Sequence, residues 1–415
     1  MDLPEYVKLS AVSVGNIRML VLCHRTSIHT VSRICSASAT TCSQMVLGDG
    51  GAVAIGFQCD DTTFCFINVR IRSEEDGVEY RDVVDELSSQ MSTSLHYDIL
   101  HSYQHIFLCG DFNCPSEGDF PSIVNATRNG HNFEELIASE WLTRRMKSGQ
   151  SFCGFSEGPL TFGPTCRYLR NTTVAHPRIF DEWLQSVPSW SDRILFRDLC
   201  SASTSQTKCL QYEADHSLMS STHSPVVGVF EINSRLQYVV KNSDHQPRTR
   251  MMFNNIVCEF RRLVTLSSDD ATDHWVCFLF PLFSQGVSQT RTMALECTSG
   301  RAEWTALECS LLYPVECAHI ASEQLHIFLF QEDRHSGISS PVGQCATQFS
   351  SLSVSSGKIS CIVPMLRSGF QVGSISFEVE VRYFLTTFTV RCLRMTFPPS
   401  FFSPKQRSWV KKIFK

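Results

Sequence analysis

Apolar and polar positions alternate with two different textures along the chain. In the first, strand-like and helix-like periods interleave. Ile17 to Cys23 is a short apolar run, read as a strand. Ala52–Phe57 and Phe64–Ile71 are β-rich runs flanking Cys59-Asp60-Asp61-Thr62, a hairpin pattern. Tyr80, Val83, Val84, Leu87 and Met91 recur at helical spacing and predict an amphipathic helix. Ile106 to Cys109 reads as a buried strand ending at Gly110-Asp111-Phe112-Asn113. Phe133 to Met146 predicts one further helix, with Phe133, Leu136, Ile137 and Trp141 on one side. This mixture, to about residue 232, predicts an α/β or α+β domain over 1–232. Residues 233–250 are polar with charges of both signs and read as a linker.

Residues 251–390 carry the second texture. Ile375, Phe377, Val379 and Val381 alternate with Ser376, Glu378, Glu380 and Arg382, a strand with one buried face. Leu325–Phe330 is another strand, followed by a turn-like Glu332-Asp333-Arg334-His335-Ser336-Gly337. No helical period interrupts these runs, so an antiparallel β-sandwich is expected. Residues 391–415 form a tail in which Phe397, Phe401, Phe402, Trp409 and Phe414 interleave with Lys405, Arg407, Lys411, Lys412 and Lys415. Basic residues beside aromatics suit an anionic membrane surface. The same aromatics could instead pack back on the sandwich, and the sequence leaves both open.

Composition changes this picture little. With 43% hydrophobic and 19% charged residues the balance is that of an ordinary globular protein. A formal net charge of -5 points away from general nucleic-acid binding, so a phosphate site would need a local basic patch. The 19 cysteines are scattered, odd in number and show no Cys-x-x-Cys pair, which reads as reduced thiols and a cytoplasmic setting. Asp269, Asp270 and Asp273 cluster, but a solvated acidic loop accounts for them more simply than a calcium site.

Four segments carry candidate chemistry. Asp111 and Asn113 sit two residues apart past a strand, where a carboxylate can take a proton from water and an amide can orient that water. Arg167 and Tyr168, in Pro164-Thr165-Cys166-Arg167-Tyr168, offer a guanidinium fork and a phenol to phosphate oxygens. Asp192 and Arg193, in Pro188-Ser189-Trp190-Ser191-Asp192-Arg193-Ile194-Leu195, could act directly or as an ion pair supporting a site. His223, in Ser221-Thr222-His223-Ser224-Pro225-Val226, could donate to a developing oxyanion.

Taken in order, these segments resemble the inositol polyphosphate 5-phosphatases, a branch of the endonuclease/exonuclease/phosphatase superfamily. That family shows Gly-Asp-Leu-Asn, Pro-Thr-Tyr-Lys-Tyr, Pro-x-Trp-x-Asp-Arg-Ile-Leu and Ser-Asp-His-x-Pro-Val. Upstream, Gly48-Asp49-Gly50-Gly51-Ala52-Val53 is similar to the family's Gly-Asn-Lys-Gly-Ala-Val, and Phe64-Cys65-Phe66-Ile67-Asn68 to the strand before its catalytic His. The resemblance implies a four-layer α/β sandwich and Mg²⁺-dependent removal of the 5-phosphate from a phosphoinositide or inositol phosphate. It makes Asp111 the water activator and Asn113 its orienter. Arg167 and Tyr168 would bind substrate phosphate, His223 the scissile phosphate, and Asp192 and Arg193 would hold the site together, Arg193 with phosphate also in reach. The Pro-Thr-x-Arg-Tyr element argues against a nuclease of the same superfamily.

The chain also departs from the pattern. The family's Trp-Asn-x-Asn strand and the Gln-Glu segment that binds metal would lie upstream of Met1, so the phosphatase part is expected to be incomplete. Arg70 stands in the place of the family's His, and Thr222 in the place of the Asp of Ser-Asp-His. Asp215-His216 offers a rival match to the last motif but lacks the Pro-Val that follows His223. These departures keep a second reading open, a catalytically inactive pseudophosphatase that binds phosphoinositides or membranes. Some 5-phosphatases carry a C2-like domain behind the catalytic one, which residues 251–390 resemble in pattern and placement, and peripheral membrane contact through it and the tail is expected.

Overall fold

The computed structural model describes residues 4–41, 50–60, 62–71, 78–91, 98–114, 116–128, 133–170, 179–181, 187–199, 206–233, 247–261, 272–279, 288–291, 295–296, 300–304, 306–311, 324–333, 335–348 and 358–385. The chain divides into two compact units, the first built from Met1–Ser92 and Tyr97–Tyr238, the second mostly from Val239–Arg367 and Gln371–Lys415. Of the linker expected over 233–250, residues 234–246 lie outside the described residues, as do Asp269, Asp270 and the tail at 391–415, while Pro247–Arg250 already belong to a strand of the second unit.

The first unit runs β1 (Tyr6–Val14), β2 (Ile17–His24), β3 (Val31–Thr40), β4 (Gly51–Cys59), β5 (Thr62–Arg70), α1 (Val78–Met91), α2 (Ile99–Ser102), β6 (His105–Asp111), α3 (Phe120–Arg128), α4 (Glu134–Ser139), α5 (Trp141–Ser148), β7 (Ser156–Glu157), β8 (Asp192–Asp198), β9 (Lys208–Ala214) and β10 (Val226–Glu231). Its centre is a mixed six-stranded sheet in the order β3-β4-β5-β6-β8-β7. The expected hairpin is β4–β5, which runs from Gly51↔Arg70 to Cys59↔Thr62. Strand β6 then joins β5 in parallel, and the parallel register needs the crossover that α1 and α2 supply.

Both faces of this sheet are covered. Ala52, Ala54, Ile67, Val69, Ile106 and Leu108 share a core with Tyr80, Val83, Val84 and Leu87 of α1, the helix read from the 3.6 period. On the other face Phe57, Phe66 and Phe107 stack in series, with Phe230 of β10 edge-on to Phe107. Strands β1–β2 and β9–β10 form two separate two-stranded antiparallel sheets, β1–β2 packing on β3 and β4.

The helix expected over Phe133–Met146 is two helices. Glu140 breaks it with an extended backbone (ψ 147°) and stands at the N-cap of α5. The reason is electrostatic. The Glu140 carboxylate is fully buried and turns to Arg193, 53 residues away, instead of continuing the helix.

The second unit is all β: β11 (Pro247–Phe260), β12 (Thr272–Leu279), β13 (Ser288–Arg291), β14 (Leu295–Glu296), β15 (Arg301–Trp304), β16 (Leu307–Leu311), β17 (Gln324–Asp333), β18 (Ser339–Gln348), β19 (Lys358–Arg367) and β20 (Phe370–Leu385). They pair as one ten-stranded sheet, β13-β12-β17-β18-β19-β20-β11-β15-β14, with β16 also on β11. Val276 of β12 and Met251 of β11 lie far apart on that path yet in one core, so the sheet curls until its inner faces meet. The expected alternation holds on β20, where Ile375, Phe377 and Val379 are buried between partly exposed Ser376, Glu378 and Glu380. No described helix is long and apolar enough to cross a membrane. The described cysteines whose state is defined are free thiols.

Candidate active site

Register assembles the site. Arg70 at the end of β5 lies opposite Asp111 at the end of β6, and Asp111 lies opposite Asp192 at the start of β8. Three polar residues far apart in sequence therefore stand side by side across three adjacent strands. Neighbouring strands lie about 4.8 Å apart, so these side chains must interact. Gly110 permits the close approach of β5 and β6, because a Cβ there would come within 1.9 Å of the Val69 carbonyl oxygen. It adopts φ 135°, which side-chain-bearing residues rarely take.

Past Gly110 the chain turns at once. Asn113 sits in the left-handed region at φ 45°, which asparagine tolerates better than most residues. Its backbone N–H donates to Asp111 Oδ1 at 3.0 Å, and its side-chain Nδ2 donates to the Ile71 carbonyl at 2.7 Å. Asn113 thus fixes the turn that presents Asp111, a role that spacing alone does not suggest.

The loop before β10 brings in the imidazole. His223 Nδ1 lies 2.8 Å from Asp192 Oδ2 and 3.1 Å from Oδ1. Each of Asp111, Asp192 and His223 offers one ligand atom, all within 4.8 Å of one another, so the three could hold a metal ion. His216, the rival histidine, lies elsewhere, with Nδ1 2.9 Å from Ser224 Oγ.

The charges in this cluster act on one another. Burial first, and then the neighbouring Asp192 charge, hold the Asp111 carboxyl above the usual range, against His223, the Asn113 N–H and Arg70. Burial pulls the His223 imidazole down, but the hydrogen bond and charge of Asp192 and the charge of Asp111 outweigh it, and the net direction is up. Arg70 Nε lies 3.9 Å from Asp111 Oδ2, an ion pair too long for a hydrogen bond.

The remaining expected site residues divide between surface and interior. Arg167 is exposed, and its charge bears on His223 because Cys166 pairs with both Ser189 and His223. Tyr168 is buried, stacks on Phe180 with ring centroids 4.5 Å apart, and donates its hydroxyl to the Pro164 carbonyl at 2.5 Å. Arg193 follows Asp192 on β8 and so faces the opposite side of the sheet. It is 1% exposed and engages Glu157 through Nε and Nη2, both at 2.5 Å, and Glu140 through Nη1 at 2.8 and 2.7 Å. Asp192 and Arg193 are therefore not partners of each other. Each is held by a different neighbour, Asp192 by His223 and Arg193 by two glutamates.

A profile of the endonuclease/exonuclease/phosphatase family 2 matches residues 2–229, more than half of the 415-residue chain. The chain belongs to this family. Within it, phosphatidylinositol 3,4,5-trisphosphate 5-phosphatase 2A of Danio rerio is 29% identical over 245 residues, covering 57% of this chain and 19% of the relative. The chain thus spans about a fifth of the length of the curated relatives it matches. Among solved structures, the inositol polyphosphate 5-phosphatase domain of SPSynaptojanin, in complex with inositol (1,4)-bisphosphate and calcium ion, aligns over 55% of this chain and 64% of its own. Its sequence identity is 23% and its TM-score 0.44. A C2 domain of plant extended synaptotagmin 1 aligns over 34% of this chain and 96% of its own, at 11% identity and TM-score 0.25. The resemblance carried by the four motifs is thus to the family that the profile finds.

Two residues of this family member escape the motif reading. Glu140 and Glu157 lie in none of the four segments quoted above. A buried arginine demands carboxylate partners, so Arg193 is the available signal, but periodicity does not say which glutamates answer it.

Proposed function

We propose that this chain removes a phosphate from an inositol phosphate or phosphoinositide, and that the reaction is the Mg²⁺-dependent hydrolysis of the 5-phosphate. One observation carries the reading: the His223–Asp192 pair stands against the Asp111 carboxylate, a donor, its orienter and a base around one small volume. The family membership and the 5-phosphatase relatives support it.

The donor set fits a hard cation. Mg²⁺ is held by one or two carboxylates with waters and substrate phosphate completing the shell, and Asp111 and Asp192 provide two carboxylates that repel each other without one. When bound, such an ion neutralises phosphoryl charge. The chain's own residues do the rest. Asp111 takes a proton from the attacking water. Asp192 holds His223 with one ring nitrogen occupied, so that the other can donate to a phosphoryl oxygen. Arg167, exposed beside His223, contacts the phosphate through its fork. Asn113, Tyr168 and Arg193 hold this geometry through the turn, the Phe180 stack and the two glutamates.

A second reading, phosphoinositide binding without turnover, is favoured by the Arg70 charge beside Asp111 and by Thr222 in place of an aspartate. Phosphate release from phosphatidylinositol 3,4,5-trisphosphate with Mg²⁺ separates the two. Turnover by wild type, lowered about 10²–10⁴-fold in Asp111→Asn, supports hydrolysis. Binding with release no faster than in Asp111→Asn supports the binding module. Contact with anionic membranes through the second unit and the tail belongs to the same proposal, as does a cytoplasmic location.

A further inference from the structure

The residue least explained by hydrolysis is Arg70. It ends β5 directly opposite Asp111, and its root is fixed on both sides of the site. The next residue, Ile71, donates its N–H to the Asp111 carbonyl at 3.1 Å and accepts from Asn113 Nδ2 at 2.7 Å. Among the described residues the guanidinium is anchored at its base but not consumed at its tip. At 3.9 Å it attracts Asp111 without donating to it, its side chain is 41% exposed, and it has no closer acidic partner among the described residues. A guanidinium carries five N–H donors, and no described residue takes any of them in a hydrogen bond.

The charges around the cluster point the same way. Asp111 and Asp192 bring two negative charges, and a phosphate monoester brings further negative charge to the same place. Arg70 at the Asp111 end and Arg167 at the His223 end bring two fixed positive charges, with His223 available as a third. With both arginines present, the protein groups are neutral or positive before any ion arrives. Without Arg70 they would not be, unless His223 were protonated. The planar fork matches phosphate oxygens two at a time and never loses its proton.

We infer that Arg70 is a phosphate-binding residue of this site, a fixed cation beside Asp111 that lets a phosphate monoester bind with no divalent ion present. The inference rests on the phosphoryl site proposed above and adds to it a ligand contact and independence of binding from the metal. It concerns binding alone, and hydrolysis can still need the ion.

The test is isothermal titration calorimetry of the full chain with inositol 1,4-bisphosphate, in excess EDTA and separately with Mg²⁺. The variants are Arg70→Gln, Arg167→Gln and, as an exposed basic control, Lys208→Gln. Binding is expected in EDTA, weakened about tenfold or more in Arg70→Gln and unchanged in Lys208→Gln. Wild-type binding that requires Mg²⁺ overturns the inference and leaves the phosphoryl site standing. So does Arg70→Gln binding like wild type in EDTA while Arg167→Gln is weakened. No binding under either condition overturns the site itself. Should Arg70→Gln fail to fold, the Nε–Hε resonance of Arg70 in the wild-type protein gives the answer. It is expected to shift on adding inositol 1,4-bisphosphate in EDTA, and a resonance that stays put while others move overturns the inference.

Discussion

The two units bury different things. Beside the Asp111–Asp192–His223 cluster the first unit encloses Arg193 between Glu140 and Glu157, with the Tyr212 hydroxyl 2.8 Å from Glu157, and it buries Asp98, His101 and Arg197 as well. The second unit has an inner face of Leu325, Ile327, Leu329, Phe377, Val379 and their neighbours, with His326 and Gln344 among its few buried polar residues. Buried charge is costly unless paired, so a unit that carries so much of it is organised around something other than stability. In the first unit, that something is the placing of Asp192. The residue after it is clamped by two carboxylates, which ties β8 to β7 through Glu157 and to the break before α5 through Glu140. Among its described residues the second unit shows no buried ion network of this kind, and its core is built from apolar strand faces.

The contrast is sharpened most by cutting the ion network. Glu140→Gln leaves Arg193 charged and short of one carboxylate in a place without solvent. It should destabilise the first unit by about 3–5 kcal/mol, read as a lowered urea midpoint with hydrogen exchange locating the loss at β6 and β8. A cost below about 1 kcal/mol would mean that the pair is dispensable and the contrast false. The matching cut in the second unit is apolar. Leu329→Ala removes a fully buried side chain and should cost about 2–5 kcal/mol, with lost exchange protection confined to β17 and its neighbours. Loss of protection at β6 as well would show that the two units unfold together.

A third test uses acid, and the units should answer in opposite directions. Burial raises Asp98 to about 6 from an ordinary 3.8. Its folded form binds the proton more tightly, so its stabilising contribution is full below pH ~4 and is lost as pH rises through about 6. Burial lowers His326 to about 4 from 6.5. Its unfolded form binds the proton more tightly, so stability is present above about 6.5 and is lost as pH falls toward 4. Each contribution is on the order of 3 kcal/mol across its window. The difference in stability between wild type and Asp98→Asn should therefore change across pH 4–6 in the first unit. That between wild type and His326→Gln should change across pH 4–6.5 in the second, with the opposite slope. Equal slopes would remove this distinction.

The same contrast explains what the sequence could reveal. Periodicity finds α1 and β20, because one face of each lies on an apolar core, while β4, β5, β6 and β17 show as apolar runs, β4, β6 and β17 because both their faces are largely buried. It misreads the stretch over Phe133–Met146 because Phe133, Leu136, Ile137 and Trp141 keep their helical spacing across a break made by one glutamate reaching for a distant arginine. Asp111, Asp192 and His223 are legible as members of motifs, and the family resemblance puts them at one site, but their contacts are not, since these depend on β6 pairing with β8 in one register. Arg70 is visible only as a departure from the family pattern. Its position opposite Asp111 is a fact of parallel pairing between β5 and β6, which no local pattern encodes.

The central claim is that His223, oriented by Asp192 beside Asp111, receives a phosphoryl oxygen. An NMR titration of the His223 ring in the full chain, with and without inositol 1,4-bisphosphate, tests it most directly. The account predicts a midpoint above the ordinary 6.5, a fall in that midpoint in Asp192→Asn, and a shift of the resonance when the ligand is added. A midpoint at or below 6.5 that ignores both the substitution and the ligand would contradict it.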